Sequence, residues 1–278
     1  FFFHPHPANR DSVASRGLGD VYKRQFHNCV IVSLDKSYPM QSRRLMSALW
    51  GLGQMSFVKI IITVDATIDV HNYEEVIKLI LNQVDFDRDL FFSEGVLDVL
   101  NHASDNMLYG SKLGIDLTTK VKGEPGFGES KNSDKNISPL VSIDEVKKCF
   151  PKVKDIKHLD LNTQRSVMYI ALNKTIPNQA TEFIEAFFKE PKFSTVNIVI
   201  VLESNVNLED DSVAMWKLFN NIDPKRDLHF HGNKLGIDAT QKLKEEGYQQ
   251  RWPKEIEMSE EIKSRVDSKW NTMFNKQV

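Results

Sequence analysis

Apolar residues cluster in this chain with two different periods. Cys29 to Leu34 is a short β-branched run, and Val58 to Val64 is nearly all apolar, interrupted by Lys59. Runs of this length and composition predict strands, the second covered on both faces. Between them Leu45, Met46, Leu49 and Leu52 fall at helical spacing, with Pro39 suited to that helix's first turn. Asn72-x-x-Glu75 predicts a capping box ahead of a second stripe, Val76, Ile77, Ile80 and Leu81. The pattern then recurs, predicting strands near 167–172 and 196–202 and helices near 177–190 and 210–221. Ser142-x-x-Glu145 opens a short helix through Phe150. A last helix, Ser259 to Phe274, carries Ile262, Val266, Trp270 and Phe274 on one stripe. Such a face packs on a neighbour, either its own sheet or another protomer.

The recurrence is a duplication. At an offset of 138, Asn28 to Lys36 lies on Ser166 to Lys174, Pro39 on Pro177, Gln41 on Gln179, and Asp85, Arg88 and Asp89 on Asp223, Arg226 and Asp227. The copies rejoin at offset 122, where Gly110-x-Lys112-Leu-Gly-Ile-Asp116-x-Thr118 matches Gly232-x-Lys234-Leu-Gly-Ile-Asp238-x-Thr240. Copy two therefore lacks 16 residues that copy one has between Phe91 and Tyr109. Strands alternating with helices predict an α/β fold. It consists of two tandem copies of a βαβαβ-type unit forming mainly parallel sheets flanked by helices, with a C-terminal helix. The expected organisation is a leader over 1–25, copy one over 26–121, a linker over 122–141, copy two over 142–250 and the terminal helix over 251–278. Lys122 to Ser138, rich in Gly, Pro, Ser and Asn, predicts an exposed loop.

Composition narrows the function classes. A net charge of -2 over 278 residues offers no basic face for nucleic acid or an anionic membrane. No apolar run reaches the length of a membrane helix. Cys29 and Cys149 form no pairing pattern, which fits a reducing, cytoplasmic compartment. Phe1 to Gln25 has neither helical nor alternating period and no signal-peptide architecture, and reads as a non-native or disordered leader. The His4-Pro-His6 pair in it is not taken as a metal site. Gly51-Leu-Gly53 follows a helix and lacks a third glycine, so it is no dinucleotide fingerprint. His229 and His231 lack a third ligand, and Glu245-Glu246 reads as solvated surface.

From His27 to Thr118 the chain resembles the C-terminal region of UbiD-type decarboxylases. The resemblance rests on His27-Asn-Cys-Val-Ile-Val-Ser33, Phe57 to Asp65, Asp69-Val70, Asp85-x-x-Arg88-Asp89, Leu97-Asp-x-Leu100-x-x-Ala-Ser104 and the Gly110-to-Thr118 signature. Copy two looks like a degenerate duplicate. The resemblance implies a non-oxidative decarboxylase of aromatic or α,β-unsaturated acids. Prenylated FMN, with a divalent metal (Mn or Mg) and K, would be bound mainly by an upstream domain whose pattern is missing here. A homo-oligomer and a carboxylic acid substrate, in quinone biosynthesis for close relatives, are implied too. No catalytic residue and no metal ligand is expected within this stretch. The alternative is a non-catalytic oligomerisation or assembly module.

Within that resemblance, Lys59 is the candidate for contact with the cofactor phosphate. A lysine inside an apolar strand needs an anion or must neutralise. The other reading is a lysine that snorkels to solvent. Copy two has Asn197 there. Phe92, Leu97, Leu100 and His102 are candidates for the substrate-pocket wall, or else ordinary filling of the sheet edge. Asp65 and Asp69 end a buried strand and read mainly as turn and cap residues. Lys112-x-Gly-Ile-Asp116 occurs in both copies and reads as structural, with Gly114 and Gly236 in positive-φ turns and Lys112 pairing with Asp116.

Overall fold

The computed structural model describes residues 28–129, 141–159, 161–254 and 258–274. The leader at 1–25 and the linker residues 130–140 lie outside them.

Copy one forms a four-stranded sheet in the order β1-β2-β4-β3, from β1 (Cys29–Leu34), β2 (Ile60–Asp65), β3 (Leu90–Val96) and β4 (Tyr109–Asp116). Copy two forms a five-stranded sheet in the order β5-β6-β7-β9-β8. Its strands are β5 (Val153–Leu159), β6 (Val167–Leu172), β7 (Ile198–Glu203), β8 (Leu228–His231) and β9 (Lys234–Asp238). β1, β2 and β4 run parallel in the first sheet and β6, β7 and β9 in the second, while β3, β5 and β8 are antiparallel edges. The expected α/β architecture is therefore present, with these antiparallel edges added to it.

Period-two alternation sorts the strand side chains between two kinds of core. Ile60, Ile62 and Val64 of β2 join Val167, Tyr169 and Ala171 of β6 and Ile198, Ile200 and Leu202 of β7 in one apolar cluster. Helices α2 (Tyr73–Gln83) and α5 (Asp211–Asn221) complete it through Val76, Leu81, Ala214 and Leu218. The two copies thus share a core. On the opposite faces, α1 (Gln41–Trp50) packs Met46 and Leu49 against Val30, Val32 and Ile61. α4 (Gln179–Lys189) packs Phe183, Ile184 and Phe187 against Met168, Ile170, Val199 and Val201. α3 (Ile143–Cys149) and the short α6 (Pro224–Asp227) precede β5 and β8. The last helix, α7, spans Glu260–Phe274.

The predicted caps form. Asn72 Oδ1 accepts from the Glu75 N–H at 3.2 Å, and Ser142 with Glu145 closes a reciprocal capping box. Pro39 falls outside the helix: α1 starts at Gln41 behind Met40, whose φ is 62°. Leu52 lies beyond the end of α1 and is exposed.

Gly114 and Gly236 do not occupy positive-φ turns. Both sit inside strands, where the missing side chain lets a helix approach the sheet. A Cβ on Gly114 would lie 2.3 Å from Met46 Sδ, and one on Gly236 would lie 2.2 Å from Ile184 Cγ2. Gly236→Ala is expected to cost about 1–3 kcal/mol in urea unfolding, because branched Ile184 has no free rotamer in a packed core. Gly114→Ala is expected to cost less, since the Met46 thioether can swing aside. The reverse order would refute this account.

Candidate functional site

Lys59 immediately precedes β2, and its side chain crosses to copy two. Its ammonium donates to Asn101 Oδ1 at 3.1 Å and to the Ile222 carbonyl at 2.8 Å. The residue is 1% exposed. Burial pulls the ammonium down to about 7, opposed by the nearby Asp223 and Asp227 carboxylates. The partner carbonyl belongs to the residue that ends α5, so the lysine joins the two copies across their polar seam.

The rest of that seam is built the same way. Asp223 accepts from the Ser111 N–H at 3.2 Å and makes a short hydrogen bond with the Ser111 hydroxyl. Asn28 donates to Asn220 at 2.7 Å, and His102 Nε2 lies 3.2 Å from Asn221 Oδ1. Arg226 reaches the Ala103 carbonyl at 2.8 Å and Asp105 at 2.5 Å. Tyr248 and Gln250 donate to the carbonyls of His102 and Ser104. Trp252 meets the His102 ring edge-on at 4.7 Å. Copy two therefore clasps residues 101–105, inside the stretch that copy one has and copy two lacks. In copy two the corresponding strands β8 and β9 are joined by Gly232 and Asn233 alone.

The four residues read as a pocket wall differ in exposure and partners. Leu97 is 1% exposed, whereas Leu100 is 63% exposed. Phe92 packs into the shared core and lies edge-on to Phe230 at 6.3 Å. His102 is held by Asn221 and Trp252, and burial lowers its pKa. Leu100 belongs to an exposed apolar group with Val96, Val99, Met107 and Leu108.

Asp65 and Asp69 act as turn residues: Asp65 accepts from the Thr119 N–H and hydroxyl, and Asp69 from the His71 N–H. Lys112 does not pair with Asp116. Its ammonium donates to the Ser56 and Val58 carbonyls at 2.6 and 2.8 Å, and burial lowers its pKa to about 8. Asp116 pairs instead with Lys120 at 3.1 Å.

That ion pair belongs to a network present twice. In copy one Asp89 receives Arg88 and Lys120, and its carboxylate accepts from the Asp85 N–H. In copy two Asp227 receives Arg226 and Lys242, and accepts from the Asp223 N–H at 2.7 Å. A second clamp is also duplicated. Lys36 pairs with Glu124, which accepts from the N–H of Met40. Lys174 pairs with Glu246, which accepts from the N–H of Asn178. Met40 and Asn178 both have positive φ, and the carboxylate holds each N–H in that unfavourable conformation. Thus Glu124 is buried in a stretch read as exposed loop, and Glu246 is a buried ion-pair member where solvated surface was expected. Extending the offset-122 match past Thr118 to Lys120 and Glu124 would have found both.

A sequence profile of the family described as the 3-octaprenyl-4-hydroxybenzoate carboxy-lyase C-terminal domain matches residues 21–117 and again 138–248. The chain belongs to the UbiD family. The double match coincides with the two sheets, so this UbiD chain carries the family's C-terminal unit twice. An uncharacterised protein of Helicobacter pylori is 29% identical over 88% of the chain and 38% of its own length. One of Aquifex aeolicus is 40% identical over 44% of the chain and 25% of its own length. The chain thus spans well under half the length of these curated relatives. Among solved structures, an evolved dimeric UbiD-class HmfF of Pelotomaculum thermopropionicum with prFMN aligns at 24% identity. It covers 45% of this chain and 27% of that one, with a TM-score of 0.37. Vanillic acid decarboxylase of Sedimentibacter hydroxybenzoicus in open form aligns at 16% identity, 48% and 31% coverage, and a TM-score of 0.40.

Among the described residues no group of three His, Cys, Asp or Glu is placed to hold a metal ion. The Lys59 ammonium faces a carbonyl and an amide oxygen of this same chain. No helix among the described residues is long and apolar enough to cross a membrane.

Proposed function

We propose that this chain is the C-terminal part of a UbiD-type carboxy-lyase. The longer enzyme would release CO2 non-oxidatively from an aromatic or α,β-unsaturated acid in the cytoplasm, a 4-hydroxybenzoate-type quinone precursor being one such substrate. The observation that carries the reading is the family match over both halves of the chain. Prenylated FMN, Mn or Mg, and K are held mainly upstream in this reading, and the chain alone is inactive. Lys59 supplies a phosphate contact from this side, with Phe92, Leu97, Leu100 and His102 walling the substrate end. For Lys59 to reach a phosphate, the Ile222 carbonyl must give way to it. The enzyme assembles as a homo-oligomer through α7, whose Ile262, Val266 and Trp270 form an exposed apolar stripe four residues apart.

A second reading is favoured by the contact of Lys59 with Ile222. The lysine would then bind copy to copy, and the duplicated unit would serve assembly alone. Lys59→Ala in a full-length parent separates the two. Loss of most bound flavin absorbance at a melting temperature within a few degrees of the parent supports the phosphate role. Unchanged flavin content with a large fall in melting temperature supports assembly and refutes the phosphate contact.

A further inference from the structure

The two sheets differ at one edge. The 138-residue offset lays β1 on β6, since Cys29 to Leu34 matches Val167 to Leu172. β6 is an inner strand: β5 runs antiparallel along its far side, with Lys157 opposite Tyr169 and Leu159 opposite Val167. Among the described residues β1 is an edge strand, with no other strand paired along its far side.

Three further observations mark that edge as incomplete. Every residue of β6 is buried, whereas Cys29 and Ile31, the counterparts of Val167 and Tyr169, are only half-buried. The carbonyls of Asn28 and Leu34 accept from Ile60 and Ala66 on the β2 side, so alternation turns the peptide groups of Cys29 and Ile31 outward. The family profile shows the same asymmetry. Its second match begins at residue 138 and takes in α3 and β5, whereas the first begins at residue 21, which the offset carries to residue 159 at the end of β5.

We propose that the outer edge of β1 is the docking site of an antiparallel strand N-terminal to it in the polypeptide. This strand completes the first sheet as β5 completes the second. Its recognition is by main-chain hydrogen bonds to Cys29 and Ile31, with an apolar side chain over Cys29 as Leu159 lies beside Val167. The inference rests on the internal repeat and the family match, and not on the decarboxylase reading. The relatives have the chain length to supply the strand, because this chain covers 38% of the Helicobacter pylori protein.

The test grafts residues 141–163, which the offset ends where Phe26 begins, in place of residues 1–25. Amide hydrogen exchange is then read residue by residue. Exchange at Cys29 and Ile31 should slow at least tenfold, while Val30 and Val32, already directed at β2, stay unchanged. A graft carrying Lys157→Pro, which removes an N–H directed at the neighbouring strand, should lose the protection. A folded graft in which Cys29 and Ile31 exchange as in the starting chain overturns the proposal. So does protection in the starting chain that rises with protein concentration, since a second copy would then occupy the edge. Should the graft not fold, a synthetic peptide of residues 151–159 is added at millimolar concentration to the starting chain. No tenfold slowing under those conditions overturns the proposal as well.

Discussion

Asp227→Ala is expected to lower stability by about 3–5 kcal/mol, the cost of removing one member of a buried ion-pair network. The Asp227 side chain is 2% exposed, and that of Lys242, 3.2 Å away, is 3% exposed. Arg226 grips both carboxylate oxygens at 2.8 Å, so the substitution takes one carboxylate from each of two cations, leaving Arg226 with Asp105 and Lys242 with Asp238. It also releases the Asp223 N–H, which anchors the corner carrying the Ile222 carbonyl to Lys59. Asp227→Asn keeps the shape and part of the hydrogen bonding and should cost less. Adding Lys242→Met to Asp227→Ala should deepen the loss, because it strips the buried Asp238 of its cation at 2.9 Å. Calorimetric unfolding decides the matter: a loss under about 1 kcal/mol would mean that the network carries no stability beyond a surface ion pair. Asp89→Ala is the internal control, since its partner Lys120 is more exposed than Lys242.

The second large effect is a pH dependence of Lys59. Its folded pKa is lowered to about 7, whereas an unfolded lysine titrates near about 10.4. Between those values the unfolded chain binds the extra proton, so stability rises with pH. Below about 7 the whole penalty of burying the ammonium is present. The neutral amine can still donate to Asn101 and Ile222. Wild type should therefore gain on Lys59→Met between pH 7 and pH 10, by at most about 4 kcal/mol. Comparing the two proteins removes the groups they share. A constant difference in melting temperature across that range would show that the buried lysine does not titrate there.

The interior of this fold was legible in sequence because burial writes a period. Nearly all-apolar runs located β2 and β7, and 3.6-residue stripes located α1, α2, α4 and α5. The antiparallel edges were not, because half-exposed strands such as β5, with the sequence Val-Lys-Asp-Ile-Lys-His-Leu, leave little apolar signal. Glycine misled for a related reason. Gly114 and Gly236 are needed for helix-to-sheet approach, a tertiary demand that looks like a turn when only neighbours are read. At the candidate site, the sequence singled out Lys59 by its lone charge. The pairing with Ile222 joins residues 163 apart and lies beyond any local pattern.

The single core under both repeats has a consequence for how such a chain can change over generations. Once Ile60, Ile62 and Val64 lie in the same cluster as Val167, Tyr169 and Ala171, neither copy is spare. Loss of the second would strip a hydrophobic face from the first. A duplicate born redundant is thereby locked in and is free to vary where the core does not hold it, as with Asn197 where its twin has Lys59, while the gene cannot shed the duplicate.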